Sequence, residues 1–413
     1  MTGEWRDTTL GDVLMLQRGF DLPETERKPG THPVIASTGP VGTHDTAMVQ
    51  GPGVVIGRSG SLGGGQFIEG DFWPLNTTLW VNDFKGNDRR FCYYLLKSLD
   101  LAQFNAGSGV PTLNRNHIHP LSVSVPANTI EQRAIAHILR TLDDKIELNR
   151  RMNETLKAMA MALFKSWFVD FDPVRAKAEG RDPGLPKHLA DLFPDSFEDS
   201  ELGEIPKGWE VKAIGDLADV VGGTTPSTKE PTYWEGGTHA WATPKDLSTL
   251  SVPVLLDTER HITDAGLSQV GSGLLPKGTV LLSSRAPIGY LAITEIPVAI
   301  NQGFIAMTPK MGTSNLFLLL WASVEHEEIL SRANGSTFLE ISKSNFRPIP
   351  VVTPSTYVMQ AFEHLARPHY MRIVACARKS RNLTTLRETL LPKLISGELR
   401  VKDAEKFIGR TAF

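Results

Sequence analysis

The chain is poor in cysteine. Its 413 residues hold two, Cys92 and Cys376, too few and too far apart for a disulfide framework or a zinc knuckle, and that usage fits a reducing compartment. No apolar run reaches the eighteen residues a membrane-crossing helix needs, and no signal-type opening is present, so the expected location is the cytoplasm. Positive charge is not in excess either. With 43 Lys and Arg against 46 Asp and Glu, a formal net charge of −3, the chain is no basic protein that coats nucleic acid, although a local basic cleft stays open. Catalytic signatures are missing as well. There is no Asn-Pro-Pro-aromatic run of an amino-methyltransferase and no Walker A sequence. The glycine-rich run GRSGSLGGGQ from Gly57 to Gln66 lacks a Gly-Lys-Ser/Thr ending, so it reads as a turn rather than a triphosphate cradle. His117 and His119 have no third ligand nearby and read as surface or hinge histidines. No catalytic residue, metal or cofactor is expected in this chain.

What is present is one dominant stretch, residues 129–170. Ile135, Leu139, Leu142, Ile146, Asn149, Asn153, Leu156, Ala160, Leu163 and Trp167 alternate steps of four and three, the heptad spacing of a helix that pairs with another. Thr129 and Gln132 suggest a capping box at its start, and Pro173 forbids its continuation. About forty residues at 1.5 Å each span roughly 60 Å, the length of a spacer rather than a core helix. Asn149 and Asn153 on the seam either fix register or face solvent where the coil splays. Phe164, Trp167, Phe168 and Phe171 crowd the far end. They read first as packing between rod, linker and domain, and second as a docking patch for a partner.

The partner helix lies in the same chain. A shift of 228 residues places Gly107-Ser108 on Gly335-Ser336, Leu113 on Ile341, Pro120 on Pro348 and Gln132 on Gln360, and a shift of 204 places Trp5, Gly11 and Asp12 on Trp209, Gly215 and Asp216. The chain is therefore a tandem repeat of two domains, with extra loop residues in the middle of the second.

The expected divisions are a first domain at 1–128, a spacer helix at 129–170, a linker with one short helix at 171–205, a second domain at 206–355, a second spacer helix at 356–398 and a C-terminal tail at 399–413. Runs such as HPVIAS, GVVIGRSG, GTVLLSS and FIAMTP read as strands, and RRFCYYLLKSLDLAQF and NLFLLLWASVEHEEILSRA as helices. The fold class is α+β, with two α/β target-recognition domains and two long antiparallel helices forming an intramolecular coiled coil with approximate two-fold pseudo-symmetry. Gly397 is the expected cap of the second rod, and Pro368 either marks its start or kinks it. Two like domains held apart by a rod make a caliper. A dimeric DNA reader needs its two domains separated by about one helical turn, roughly 34 Å or somewhat more.

Five runs carry a resemblance: MALFKSWFVDFDPVRAK at 161–177, LRETLLPKLISGELRV at 386–401, the openings WRDTTLGDVLMLQRG at 5–19 and IPKGWEVKAIGDLADVVGGTTPS at 205–227, and RAPIGYLAI at 285–293. Together, in correct register, they resemble the specificity subunit of type I restriction-modification systems over essentially the whole chain. The resemblance implies that each domain reads one half of a bipartite double-stranded DNA target and that the helices fix the gap. It implies two modification (methyltransferase) subunits docked on the helices, restriction (translocase/nuclease) subunits joining them, and S-adenosylmethionine, ATP and Mg used by those partners and not here. The alternatives are a self-sufficient enzyme, opposed by the missing motifs, and a non-DNA scaffold carrying two ligand-recognition domains on a rod.

The candidate DNA contacts follow residue chemistry, since Arg forks onto guanine, Asn or Gln pairs with adenine, and Ser or turn amides bind phosphate. In the first domain these are Arg58, Ser59, Asn76, Arg89, Arg90, Arg115 and Asn116. In the second they are Lys245, Arg260, Arg285, Asn301, Gln302, Lys343 and Asn345. Recurrence of Arg58 with Arg285 and of Asn76 with Asn301 favours scaffold or phosphate roles, because domains that read different half-sites should differ where they touch bases. Base readers are expected in the unlike parts, 82–90 and 224–263, where Lys245 and Arg260 stand.

Overall fold

The computed structural model describes residues 4–335 and 339–404. Ser336, the first three residues of the first domain and residues 405–413 of the expected tail lie outside them. The chain divides into two compact units, Met1–Glu147 with Ser380–Phe413, and Leu148–Lys379. Each long helix thus gives one half to each unit.

In the first unit the apolar strand Gly53–Gly57 is buried along its whole length. It sits inside an antiparallel sheet in the order Met15–Arg18, Thr78–Asp83, Gly53–Gly57, Gly63–Ile68. A second sheet orders Gly39–His44, His32–Ala36 and Trp73–Pro74, the last two parallel. Trp5–Thr9 closes the domain against Ser122–Pro126. The glycine-rich run is the turn between Gly53–Gly57 and Gly63–Ile68. Gly60 and Gly63 have φ of +83° and +70°, and a side chain at Gly57 would begin 2.0 Å from the Ser61 carbonyl oxygen, so only glycine fits there.

The first long helix runs Thr129–Phe168. Its cap is Asn128 rather than Thr129, because the Asn128 side chain accepts the Ile130 N–H at 2.8 Å. Gln132 does not close a capping box. Its amide accepts the Asp88 N–H at 2.9 Å and donates to Asn87 and the Pro126 carbonyl, which fastens the helix to the domain. Ile135, Leu139 and Leu142 are buried with Leu383, Leu390 and Leu394 of the second long helix, Thr356–Ser396, and each such side chain contributes about 1.5–3 kcal/mol. Asp143 lies beside this seam and accepts from the Tyr94 hydroxyl and from Arg387, both at 2.8 Å. Gly397 ends the second helix at φ +78°, where a side chain would meet the Trp5 ring at 2.6 Å.

The second unit repeats the plan. Its main sheet orders Ala218–Val221, Phe304–Pro309, Val280–Ser284 and Ile288–Thr294, with an added fifth strand, Val254–Leu255. Arg260–Ile262, His239–Ala242 and Ala299–Ile300 form the three-stranded sheet, and Glu210–Ala213 pairs with Pro350–Thr353. The extra length of this half supplies the added strand and the short helices Pro244–Ser248 and Asp264–Leu267. The helix expected from Asn315 breaks at Glu325 into Asn315–Val324 and His326–Ser331.

Three expectations are corrected here. Residues 171–205 are not a free linker. Phe171, at φ +54°, turns the chain into the helix Asp172–Ala178; a second short helix and the hairpin Phe197–Ser200 with Gly203–Pro206 follow. Phe171, Val174, Phe193 and Ile205 bury in the unit's core, which binds the segment down. Phe164, Trp167, Phe168 and Phe171 are 2, 1, 7 and 8% exposed against Phe317, Phe362, Phe193 and Trp209, so they pack in the core, the first of their two readings, and the second, an exposed docking patch, is corrected. The second long helix does not start at Pro368 but continues through it without a break; Pro368 stands on its exposed face with Phe362, Ala366, Tyr370 and Ile373 buried around it. That burial offsets a proline cost of about 3 kcal/mol. Asn149 and Asn153 are both buried, and among the described residues the Asn153 side-chain Oδ1 has no hydrogen-bond partner, so these positions do not face solvent.

Candidate nucleic-acid interface

In the first unit a cleft of about 700 Å³ opens between the end of the Met15–Arg18 strand, the turn after Gly53–Gly57 and the loop before Arg115. Arg18, Arg58 and Arg115 line it. Arg58 donates to the Asn76 carbonyl at 3.1 Å and Arg115 to the Leu16 carbonyl at 3.2 Å. Each is aimed by one backbone contact, and among the described residues neither has a carboxylate partner, so the charge is left for an anion. Arg18 meets Asp21 at 3.3 Å. In a chain of net charge −3 this is the local basic site that composition left open. Asn116 is exposed beside it, its N–H held by the Asn114 side chain at 3.0 Å. Arg89 and Arg90 are not brought to the cleft. They begin the helix Arg89–Ser98, Arg89 donating to the Pro52 carbonyl and Arg90 pairing with Glu69 over the Phe67 ring.

Backbone hydrogen bonds put the two domains in register. The Leu113 N–H donates to the Arg58 carbonyl at 2.7 Å, as the Ile341 N–H does to the Ser284 carbonyl at 3.0 Å. Arg58 therefore corresponds to Ser284. Arg285 stands where Ser59 does, Ser59 bridged to Thr112 and Arg285 to Glu340; Arg285 also pairs with the Glu340 carboxylate at 3.6 Å. The arginine expected to recur does not recur at one position. The Phe20 N–H meets the Pro74 carbonyl as the Thr224 N–H meets the Ile300 carbonyl, which matches Asn76 with Gln302 and leaves Asn301 opposite Leu75. Asn301 shapes its own turn, accepting the Gly303 N–H at 2.9 Å.

At this matched place the chemistry differs. Asn76 donates to Asp21, whereas Gln302 accepts from the Thr225 hydroxyl. A second matched pair is His119 and Arg347. The His119 Nε2 accepts the Leu16 N–H at 3.1 Å, and Arg347 donates to the Val220 carbonyl. Burial, and then the charge of Arg115, lower the His119 pKa below the ordinary histidine value. Its acceptor lone pair is committed, so it does not present a metal ligand. Asp21, Thr225, Arg18 and Arg347 were not selected from sequence, although the shifts of 204 and 228 already set Asp21 against Thr225 and His119 against Arg347.

In the second unit Lys343, on the turn matching that of Arg115, is exposed and fills the space beside Gly222. Asn345 donates to the Arg332 carbonyl at 3.1 Å, a structural role. Lys245 and Arg260 fare differently. Lys245 is paired with Glu259 at 2.8 Å, and the Glu259 hydrogen bond raises its pKa. Arg260 lies over Trp234 at 3.6 Å with no hydrogen bond or ion pair from its guanidinium among the described residues.

Two structurally matched domains, the first with a basic cleft and the two chemically divergent where they correspond, agree with what comparison with known proteins finds. The family model described as the type I restriction modification DNA specificity domain matches residues 2–158 and again 206–360. The chain belongs to that family. This specificity chain is 27% identical over 349 residues to the specificity subunit of the type I restriction enzyme HindI of Haemophilus influenzae, covering 72% of this chain and 73% of that one. It is 41% identical over 161 residues to the MjaIX specificity subunit of Methanocaldococcus jannaschii, covering 38% of this chain and 37% of that one. Its fold matches the crystal structure of a type I system S subunit from M. genitalium with a TM-score of 0.63 at 17% identity, over 95% of this chain and 96% of that one. The chain is thus a DNA sequence-recognition subunit of a type I restriction-modification system, not its catalytic subunit, and it works in assembly with DNA and the other subunits. The reading as a non-DNA scaffold is set aside. No helix among the described residues is long and apolar enough to cross a membrane.

Proposed function

We propose that each domain reads one half of a split DNA target, that the paired long helices set the gap, and that they dock two modification subunits. The observation that carries this reading is the matched place where Asn76 with Asp21 in one domain faces Gln302 with Thr225 in the other. One scaffold presents a different set of donors and acceptors twice, as two unlike half-sites require. Arg18, Arg58 and Arg115 supply phosphate attraction in the first domain, and Lys343 supplies it in the second. Adenine methylation from S-adenosylmethionine, and ATP- and Mg-dependent translocation and cleavage, belong to the modification and restriction subunits. The setting is the cytoplasm, where the host DNA lies.

The test is co-expression with the modification subunit, followed by sequencing of host DNA for methylated adenine. The expected result is two short half-sites around a fixed gap, and deleting one heptad from both helices changes that gap. Methylation at a continuous site would remove the spacer role. Absence of methylation from a complex shown to form and to bind S-adenosylmethionine would remove the reading itself.

A further inference from the structure

We propose that Arg260 reads a guanine in the half-site of the second domain; the assignment rests on the function given above and names one of its specificity residues. The guanidinium lies 3.6 Å from the centroid of Trp234 and 5.4 Å from that of Trp241, and the two indoles pack edge to face at 5.0 Å and 85°. The platform is fixed. Trp241 is buried and donates its ring N–H to the Thr224 carbonyl at 3.3 Å, while Trp234 donates to the Ser227 carbonyl at 2.9 Å. Both anchors lie on the segment that holds Thr225, so the stacked arginine is tied to the loop that bears the Thr225–Gln302 pair.

Stacking holds the plane of a guanidinium without using its N–H donors. Arg260 therefore stands exposed and stacked on Trp234, and among the described residues its donors are unspent. The neighbouring carboxylates are engaged elsewhere, Glu259 by Lys245 at 2.8 Å and Asp257 by His261 at 3.2 Å. An arginine fork matches O6 and N7 of guanine in the major groove, and pre-orientation lowers the entropy lost on binding. The first domain has no counterpart. Val34 pairs with Trp73 as Trp241 pairs with Ala299, and the adjoining strand Gly39–His44, GPVGTH, holds no arginine. A residue on a shared scaffold but in one domain alone is where two half-sites should be told apart.

The experiment selects bound sequences from a randomised DNA library with the complex of this chain and its modification subunit, comparing wild type, Arg260→Ala and Arg260→Lys. The expected result is a guanine at one position of one half-site in wild type, with preference for it falling about 5- to 150-fold in both variants and the other half-site unchanged. The lysine keeps the charge but not the fork, so its failure to restore the preference separates base reading from phosphate attraction. Uniform weakening on every sequence in the alanine variant, with the guanine preference kept and the slope of log affinity against log salt reduced by about 1, would make Arg260 a phosphate contact and overturn the proposal. Unchanged selection in the variants, or no guanine in that half-site, overturns it too. A wild-type complex with no split preference would overturn the function itself along with it.

Discussion

The two domains share the order of their four main-sheet strands and a closing strand pair, yet they differ at matched places where side chains leave the scaffold. Asn76 with Asp21 gives way to Gln302 with Thr225, Ser59 to Arg285, Arg58 to Ser284 and His119 to Arg347. The Leu113 and Ile341 backbone hydrogen bonds are nonetheless kept. Such a site separates holding from reading. Backbone contacts fix the loop whatever the side chain is, so recognition can change without cost to the core.

That separation can be broken most severely from the core side. Trp167→Ala removes a side chain 1% exposed among Phe193, Phe168 and Phe362, and it is expected to destabilise the second unit by about 3–5 kcal/mol in urea unfolding. Loss of modification-subunit binding at unchanged stability would restore Trp167 as a docking residue. Next in size, the double exchange Thr225→Asp with Gln302→Asn places the first domain's pair on the second domain's loop. It is expected to change the bases of one half-site by about 1–3 kcal/mol of discrimination each, read from the methylated motif, with stability held; an unchanged motif would return these residues to the scaffold.

Smaller effects sharpen the contrast. Arg58→Ala and Arg115→Ala are each expected to weaken binding to all sequences alike and to lower the salt slope by about 1, measured by titration of duplexes at several salt concentrations. A shift in base preference would make either a reader. The smallest concerns His119. Its folded pKa lies below the ordinary value of 6.5, so the unfolded chain binds the proton more readily. The stability that the neutral ring contributes is present above that value and is lost as pH falls below it. Stability measured from pH 7.5 to 5 should therefore drop more steeply in wild type than in His119→Gln, whereas Arg347, at the matched position in the second domain, adds no such slope.

Much was legible in the linear pattern because the periodicities are strong. Four-three spacing announced the first long helix and the repeat announced the second, and the seam residues Leu139, Leu142, Leu383, Leu390 and Leu394 are buried together. The repeat announced two like domains, and apolar runs such as Val280–Ser284 became inner strands. The errors have physical causes. A helix cap depends on which side chain reaches the first free N–H, and Asn128 reached it. Matching Arg58 with Arg285 by eye ignored the one-residue offset of their turns, which only the hydrogen bonds of Leu113 and Ile341 expose.

By itself, then, the order of residues determined the elements, the duplication and the family, since these rest on local spacing and on recurrence along the chain. Tertiary structure decided between the two readings of Phe164, Trp167, Phe168 and Phe171 in favour of packing, and it alone decided that residues 171–205 are bound to the second unit, that Lys245 is paired with Glu259 and that Arg260 lies on a tryptophan. Burial and charge pairing depend on which side chains meet across long separations, and no local pattern specifies that.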